Sequence, residues 1–228
     1  MGSTRLPGKV LRTILGRPVL DLFLERMRRS HRVKDIIVAT SPDPANDAIV
    51  KLAEGLGHPV FRGSEDDVLD RFVQCARKHN VDWIVRVTSD CPAIDGALVD
   101  EAVGRALAER HLKIVMNNLP RTYPHGMDVE VVAREALEEA WREGKEPAHR
   151  EHVTAFVRER PARFPQLNLS CPDGDHSELR ITLDTPADLE LLTVLFKELY
   201  TANPGFSWRD VLAAYRRHPD WRSINPAP

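Results

Sequence analysis

At 228 residues, the chain is long enough to bury one large α/β core or two small ones. Its 42% hydrophobic and 29% charged residues are ordinary for a globular protein, and a formal net charge of -2 excludes a global basic field that would draw it to nucleic acid. No apolar run reaches transmembrane length, no signal peptide opens the chain, and three scattered cysteines argue against a disulfide framework or a zinc cage; the expectation is a cytoplasmic protein bound to neither membrane nor nucleic acid.

In chain order, helices and strands alternate. Residues 18–30 carry helical apolar spacing at Val19, Leu22, Phe23 and Met27, and the basic stretch from Arg26 to Lys34 reads as the solvated end of that helix. A short buried strand follows at 35–40. A helix over 44–56 stops at Gly57, a brief strand covers 59–61, and a helix over 66–79 places Leu69, Phe72, Val73 and Ala76 on one face. The strand at 83–88 ends in Ser89-Asp90, Asp95 caps a helix running to about residue 110, and 113–116 is again a strand. The second half predicts a strand at 128–132, helices at 134–143 and 147–159, and strands at 165–170 and 179–183. A helix from Pro186 to about Tyr200 and a last one over 208–217 complete it. Such alternation predicts a mostly parallel sheet with helices on both faces and ligands at the carboxyl ends of its strands.

The first nine residues are rich in anion-binding groups. Gly2 and Gly8 permit left-handed backbone, Ser3 and Thr4 add hydroxyl donors, Arg5 offers a planar fork and Lys9 a mobile point charge. Together they can hold a triphosphate and offset charge on departing pyrophosphate, although the spacing is not that of the ATPase phosphate loop. The plainer alternative is a basic amino terminus with no such role.

Two carboxylates follow buried strands, Asp90 in TSDCP and Asp184 in ITLDTP. Aspartates at the carboxyl ends of strands can meet over one Mg²⁺, an ion that takes one or two carboxylates plus phosphates and waters. The alternative is that each caps the helix behind it. Three further groups stand out. Gly63 lets backbone approach a ring and Ser64 can bond a base or ribose, or the segment is only a helix-starting loop. Asp128 and Glu130 alternate, so they share one face of a strand, where they can bond sugar hydroxyls or simply meet water. Arg150, Glu151 and His152 form a charged cluster without metalloprotease spacing.

Six ordered segments carry a resemblance: GSTRLPGK at the start, RGSEDDVLDRF at 62–72, VRVTSDCPAID at 85–95, NNLPRTYPHGMDVEV at 117–131, REHVT at 150–154 and RITLDTPADLEL at 180–191. They resemble the SpsF-like spore coat polysaccharide biosynthesis proteins, within the wider cytidylyltransferase group that includes the synthetases of CMP-activated sugar acids. The resemblance implies a Rossmann-like sheet of the nucleotide-diphospho-sugar transferase type. It implies CTP as the nucleotide, Mg²⁺ on Asp90 and Asp184, and a sugar or sugar acid as acceptor. Arg5, Lys9 and Asp90 become the catalytic set. Gly2, Ser3, Thr4, Arg62, Gly63, Ser64 and Thr88 go to the nucleotide. Tyr123, Gly126, Asp128, Glu130, Glu151, His152 and Arg180 go to the acceptor. One domain is expected, with a nucleotide half at 1–112, an acceptor half at 113–200 and a helical tail at 201–228, and a homodimer is a fair default.

This sequence departs from the family pattern twice. Ser89 stands where the family has glycine, and Met1 stands where the family chain has already crossed the sheet, so a first strand and its arginine are expected to be missing. The sheet also hosts glycosyltransferases, and fold does not decide between the two chemistries. The basic loop favours a triphosphate over a nucleotide-sugar donor. A nucleotide-binding protein without turnover is the third reading.

Overall fold

The structure is a computed structural model that describes residues 5–226, so the predicted nucleotide-binding residues Gly2, Ser3 and Thr4 lie outside the described residues. Gly8 adopts left-handed backbone at φ 66 and starts a 3-10 turn over Lys9–Leu11. A tight hairpin of β1 (Thr13–Ile14) and β2 (Arg17–Pro18) leads into α1 (Val19–Met27). Next come β3 (Val38–Thr40), α2 (Asp47–Gly55), β4 (Val60–Arg62), α3 (Val68–His79), β5 (Trp83–Arg86) and α4 (Gly96–Ala108). The second half holds β6 (Ile114–Met116), β7 (Glu130–Ala133), α5 (Arg134–Glu143), α6 (Pro147–Glu151), α7 (Ala155–Arg158) and β8 (Gln166–Asn168). It ends with α8 (Pro186–Ala202) and α9 (Trp208–Arg217).

Strands β5, β7, β6 and β8 form one sheet in that order, with β7 antiparallel to both neighbours and β6 parallel to β8. Three of the four strands therefore share a direction. Strands β3 and β4 pair in parallel as a separate two-stranded sheet. Among the described residues β3 pairs only with β4 and β5 only with β7, so each keeps one open edge, and Trp83, Ile84 and Val85 stay half-buried.

Alternation along the central strands sorts side chains to two cores. Val115 and Val131 join a large cluster with α1, α4, α8 and α9. Ile114, Met116 and Val132 join a smaller cluster with Leu69 and Val73 of α3, Leu137 of α5 and Phe156 of α7. The sheet is thus covered by helices on both faces, and the expected α/β class holds.

Several local expectations need correction. The predicted strand at 179–183 reduces to a single bridge between His125 and Arg180. The helix expected over 147–159 splits into α6 and α7 at Val153, whose φ of 41 cannot continue a helix. The basic stretch that begins at the end of α1 is not all solvated. Arg26 is 1% exposed, and its guanidinium donates to the carbonyls of Ala93, Ile94, Pro204 and Phe206. It also lies 3.8 Å from the centre of the Phe206 ring. Burial lowers its pKa to about 10, so it stays charged at neutral pH. Cys75, Cys91 and Cys171 are buried free thiols, and no described helix is long and apolar enough to cross a membrane.

Candidate active site

Lysine 9 joins the two aspartates singled out in the sequence. Its Nζ lies 2.5 Å from Asp90 Oδ2 and 2.8 Å from Asp184 Oδ1. The 3-10 turn behind Gly8 aims the side chain there, and the Lys9 N–H donates to Leu6 O to fix the turn. Arg5, largely exposed, approaches Asp184 Oδ2 at 3.4 Å. Burial opposes the Lys9 charge, but the two carboxylates outweigh it and hold its pKa above the ordinary 10.5. Burial likewise opposes ionisation of Asp184, and Lys9, Arg5 and Arg180 outweigh it, holding the carboxyl below its usual range.

The carboxylates come from loops that are locked together. Leu183 N donates to Asp90 O at 2.8 Å, and Thr182 Oγ1 reaches the same carbonyl at 3.4 Å. Neither aspartate caps a helix. Asp95 caps α4 by accepting from Ala97 N, and Thr185 caps α8 in a reciprocal box with Asp188. Both carboxylates are therefore left for the site, which removes the capping alternative for each. Their oxygens converge on one cation position, with the hard oxygen chemistry that Mg²⁺ accepts. Among the described residues no group of three or more His, Cys, Asp or Glu side chains gathers into a ready-made metal cage, and a phosphate-bound Mg²⁺ does not require one.

The other nucleotide-side residues are engaged within the protein. Arg62 braces the preceding loop through Ser41 O, Asp43 O and the Asp47 carboxylate. A Cβ on Gly63 would meet the Phe61 ring at 2.8 Å, so packing against Phe61 and Arg71 explains this glycine. Ser64 Oγ accepts from Asp67 N. Thr88 is exposed two residues before Asp90, with its hydroxyl 3.4 Å from Cys91 Sγ.

Acceptor-side expectations divide more sharply. Tyr123 is 1% exposed and packs edge-to-face on Trp208, which makes it a core residue. Gly126 has φ 113, and a Cβ there would lie 2.7 Å from Ile181 O. It lets residues 125–127 lie flush on the segment leading to Asp184, with His125 N donating to Leu179 O and Ile181 N to His125 O. Glu130 is 1% exposed and accepts from Arg86 at 2.8 Å, Thr154 at 2.9 Å and Asn118 at 3.2 Å, with Arg158 3.4 Å away. Its carboxylate is occupied internally, contrary to the expected contact with acceptor. The reading of a shared wet face missed that β7 runs between two other strands, not at an edge. Asp128 sits in a two-pronged pair with Arg121. Glu151 and His152 are exposed at the end of α6, and among the described residues their side chains form no hydrogen bond or ion pair. Arg180 is placed at the carboxylates, 3.4 Å from Asp184 Oδ2 and 2.6 Å from Asp188 Oδ2. Sequence reasoning missed Asp188, although Thr185-Pro-Ala-Asp188 spells a capping box.

A cytidylyltransferase family profile matches residues 1–201. An uncharacterized protein of Methanocaldococcus jannaschii is 37% identical over 98% of this chain and 90% of its own length. The spore coat polysaccharide biosynthesis protein SpsF of Bacillus subtilis is 32% identical over 96% of this chain and 92% of its own. A solved cytidylyltransferase of Leptospira borgpetersenii superposes with a TM-score of 0.94 at 31% identity, covering 100% of this chain and 94% of that one. The lysine-bridged aspartate pair is thus carried on a nucleotidyltransferase, and the chain belongs to the cytidylyltransferase family.

Proposed function

We propose that the protein transfers CMP from CTP to an oxygen of a sugar or sugar acid, with Mg²⁺ as cofactor and pyrophosphate as the second product. The product would feed surface or spore-coat polysaccharide synthesis. The observation that carries this reading is Lys9 held between Asp90 and Asp184, with Arg5 beside them. Asp90 and Asp184 would hold the Mg²⁺, which supplies positive charge that screens the phosphates from an anionic nucleophile. In the bound state Lys9 exchanges carboxylate oxygens for phosphate oxygens, and Arg5 offers its fork to the same triphosphate. The acceptor oxygen bonds to the α-phosphorus as the bond from that phosphorus to the bridging oxygen of pyrophosphate breaks. Where the acceptor is a hydroxyl, its proton passes to solvent. The chain's contribution is position and charge, since no side-chain nucleophile is needed. Residues 1–112 carry the nucleotide and 113–200 the acceptor, with Arg180 and Asp128 the best-placed polar groups on the acceptor side.

The test is thermal stability with CTP, UTP, ATP, GTP and UDP-sugars, with and without Mg²⁺, followed by pyrophosphate release over a panel of sugar acids. CTP at about 100 times its Kd stabilises by about 2.7 kcal/mol and raises the midpoint by roughly 5–10 °C. That shift should need Mg²⁺ and vanish in Asp90→Ala. A response to UDP-sugars without any response to triphosphates would replace this reading with glycosyl transfer.

A further inference from the structure

The family profile ends at residue 201, yet the chain beyond it returns to the site. Trp208 and Tyr215 of α9, and Trp221 of the 3-10 turn Pro219–Ser223, pack into the large core. That turn delivers Asn225, which is 8% exposed. Its side-chain Nδ2 donates to Arg180 O at 2.9 Å and to Asp188 Oδ1 at 3.0 Å. Both partners accept only, which fixes the orientation of the amide.

Asp188 is the hub of this arrangement. It is 1% exposed, and its Oδ2 accepts from Asp184 N at 2.9 Å, Thr185 N at 2.7 Å and Arg180 Nη2 at 2.6 Å. Three donors converge on one oxygen, and Asn225 serves the other. A buried carboxylate that loses a donor must rotate or recruit water to recover it. Any rotation of Asp188 moves the backbone that presents Asp184 and the guanidinium beside it.

We infer that Asn225 is a positioning residue: through Asp188 and Arg180 it sets the Asp184 carboxylate for metal and nucleotide, making the tail part of the site. The inference rests on the proposed role of Asp184. Groups that orient a ligating carboxylate typically change metal affinity by 10–100-fold when removed. Asn225→Asp would set a second carboxylate against Asp188 and should act more strongly than Asn225→Ala.

The experiment measures Mn²⁺ affinity of the full chain in the presence of CTP, by electron paramagnetic resonance, alongside the thermal midpoint. Asn225→Ala should remain folded at the assay temperature and bind Mn²⁺ roughly ten-fold more weakly, with Asn225→Asp weaker still. Ile224→Ala trims the neighbouring tail residue that packs on the core, so it should lower the midpoint while leaving Mn²⁺ affinity at the wild-type value. Wild-type affinity in Asn225→Ala overturns the inference. So does an Ile224→Ala variant whose affinity falls in step with its midpoint. A different failure marks the underlying reading: if the wild type binds no Mn²⁺ with CTP, or Asp184→Ala binds it undiminished, the metal role of Asp184 falls and takes this inference with it.

Discussion

Asp90 and Asp184 keep 21% and 20% of their side chains exposed, whereas Glu130 keeps 2% and Asp188 1%. All four meet cations, but of different kinds. The exposed pair shares one lysine, a flexible chain ending in a compact charge that can change partners. The buried carboxylates are gripped by arginines and, for Asp188, by two backbone N–H groups. Exposure and an exchangeable partner suit groups that must accept a new ligand. Burial with several fixed donors suits groups that hold geometry.

Substitutions should separate the two kinds of carboxylate. The largest effect is expected at Asp90→Ala, with turnover down by at least roughly 10²–10³-fold and the thermal midpoint within a few degrees of wild type. A large fall in the midpoint would make Asp90 a structural carboxylate like Glu130. Next, Glu130→Ala should cost about 3–5 kcal/mol in denaturant unfolding, because it leaves Arg86 and Arg158 without their buried partner. An unchanged stability would erase the distinction from the other side.

Lys9→Met sharpens the comparison by giving two effects of opposite sign. Turnover should fall, while Mn²⁺ binding without nucleotide should tighten roughly ten-fold, because a positive charge no longer sits between the carboxylates. Equal or weaker Mn²⁺ binding would mean that Lys9 does not stand where the ion goes. The smallest effect lies outside the site. Burial raises the Glu25 pKa, but Tyr200, Arg17 and Arg29 outweigh it and hold the carboxyl below its ordinary 4.5. A depressed carboxyl stabilises the fold above its unfolded pKa and loses that contribution as pH falls through the folded value. Tyr200→Phe should therefore flatten the acid limb of the stability curve below about pH 4.5, by less than about 1 kcal/mol for a pair this exposed. An identical acid limb would leave the Glu25 cluster without energetic weight.

Local rules carried much of the architecture. Apolar spacing over Val68–His79 and the cap at Asp95 are written in neighbouring residues, so helices α3 and α4 were readable, whereas the Ser207 capping box that starts α9 went unread although Asp210 stands three residues on. Asp90 and Asp184 were readable because each follows an apolar strand-like run. What escaped depends on distant chain. Arg26 resembles its exposed neighbours until the tail supplies carbonyls from Pro204 and Phe206. Glu130 alternates with Asp128 in a way that suits a wet strand face, and only Arg86, Thr154 and Arg158 make it a buried hub. Tyr123 lies in the segment resembling the acceptor side, and its burial is decided by Trp208, 85 residues further along. Asn225 has no local signal at all, because its partners are Arg180 and Asp188.

The four carbonyls around Arg26 also bear on how the molecule comes apart. They belong to the loop before α4 and to the turn before α9, while the guanidinium belongs to α1. Peeling the carboxyl-terminal helix away would strip two acceptors, and the covering Phe206 ring, from a guanidinium that is 1% exposed in the closed protein. Fraying from that end is thereby suppressed, and amide hydrogens in α9 should exchange at the same slow rate as those in α1. In kinetic terms, closing the first helix waits on a segment 178–180 residues further along the chain, so α1 reaches its final packing only once that segment is in place.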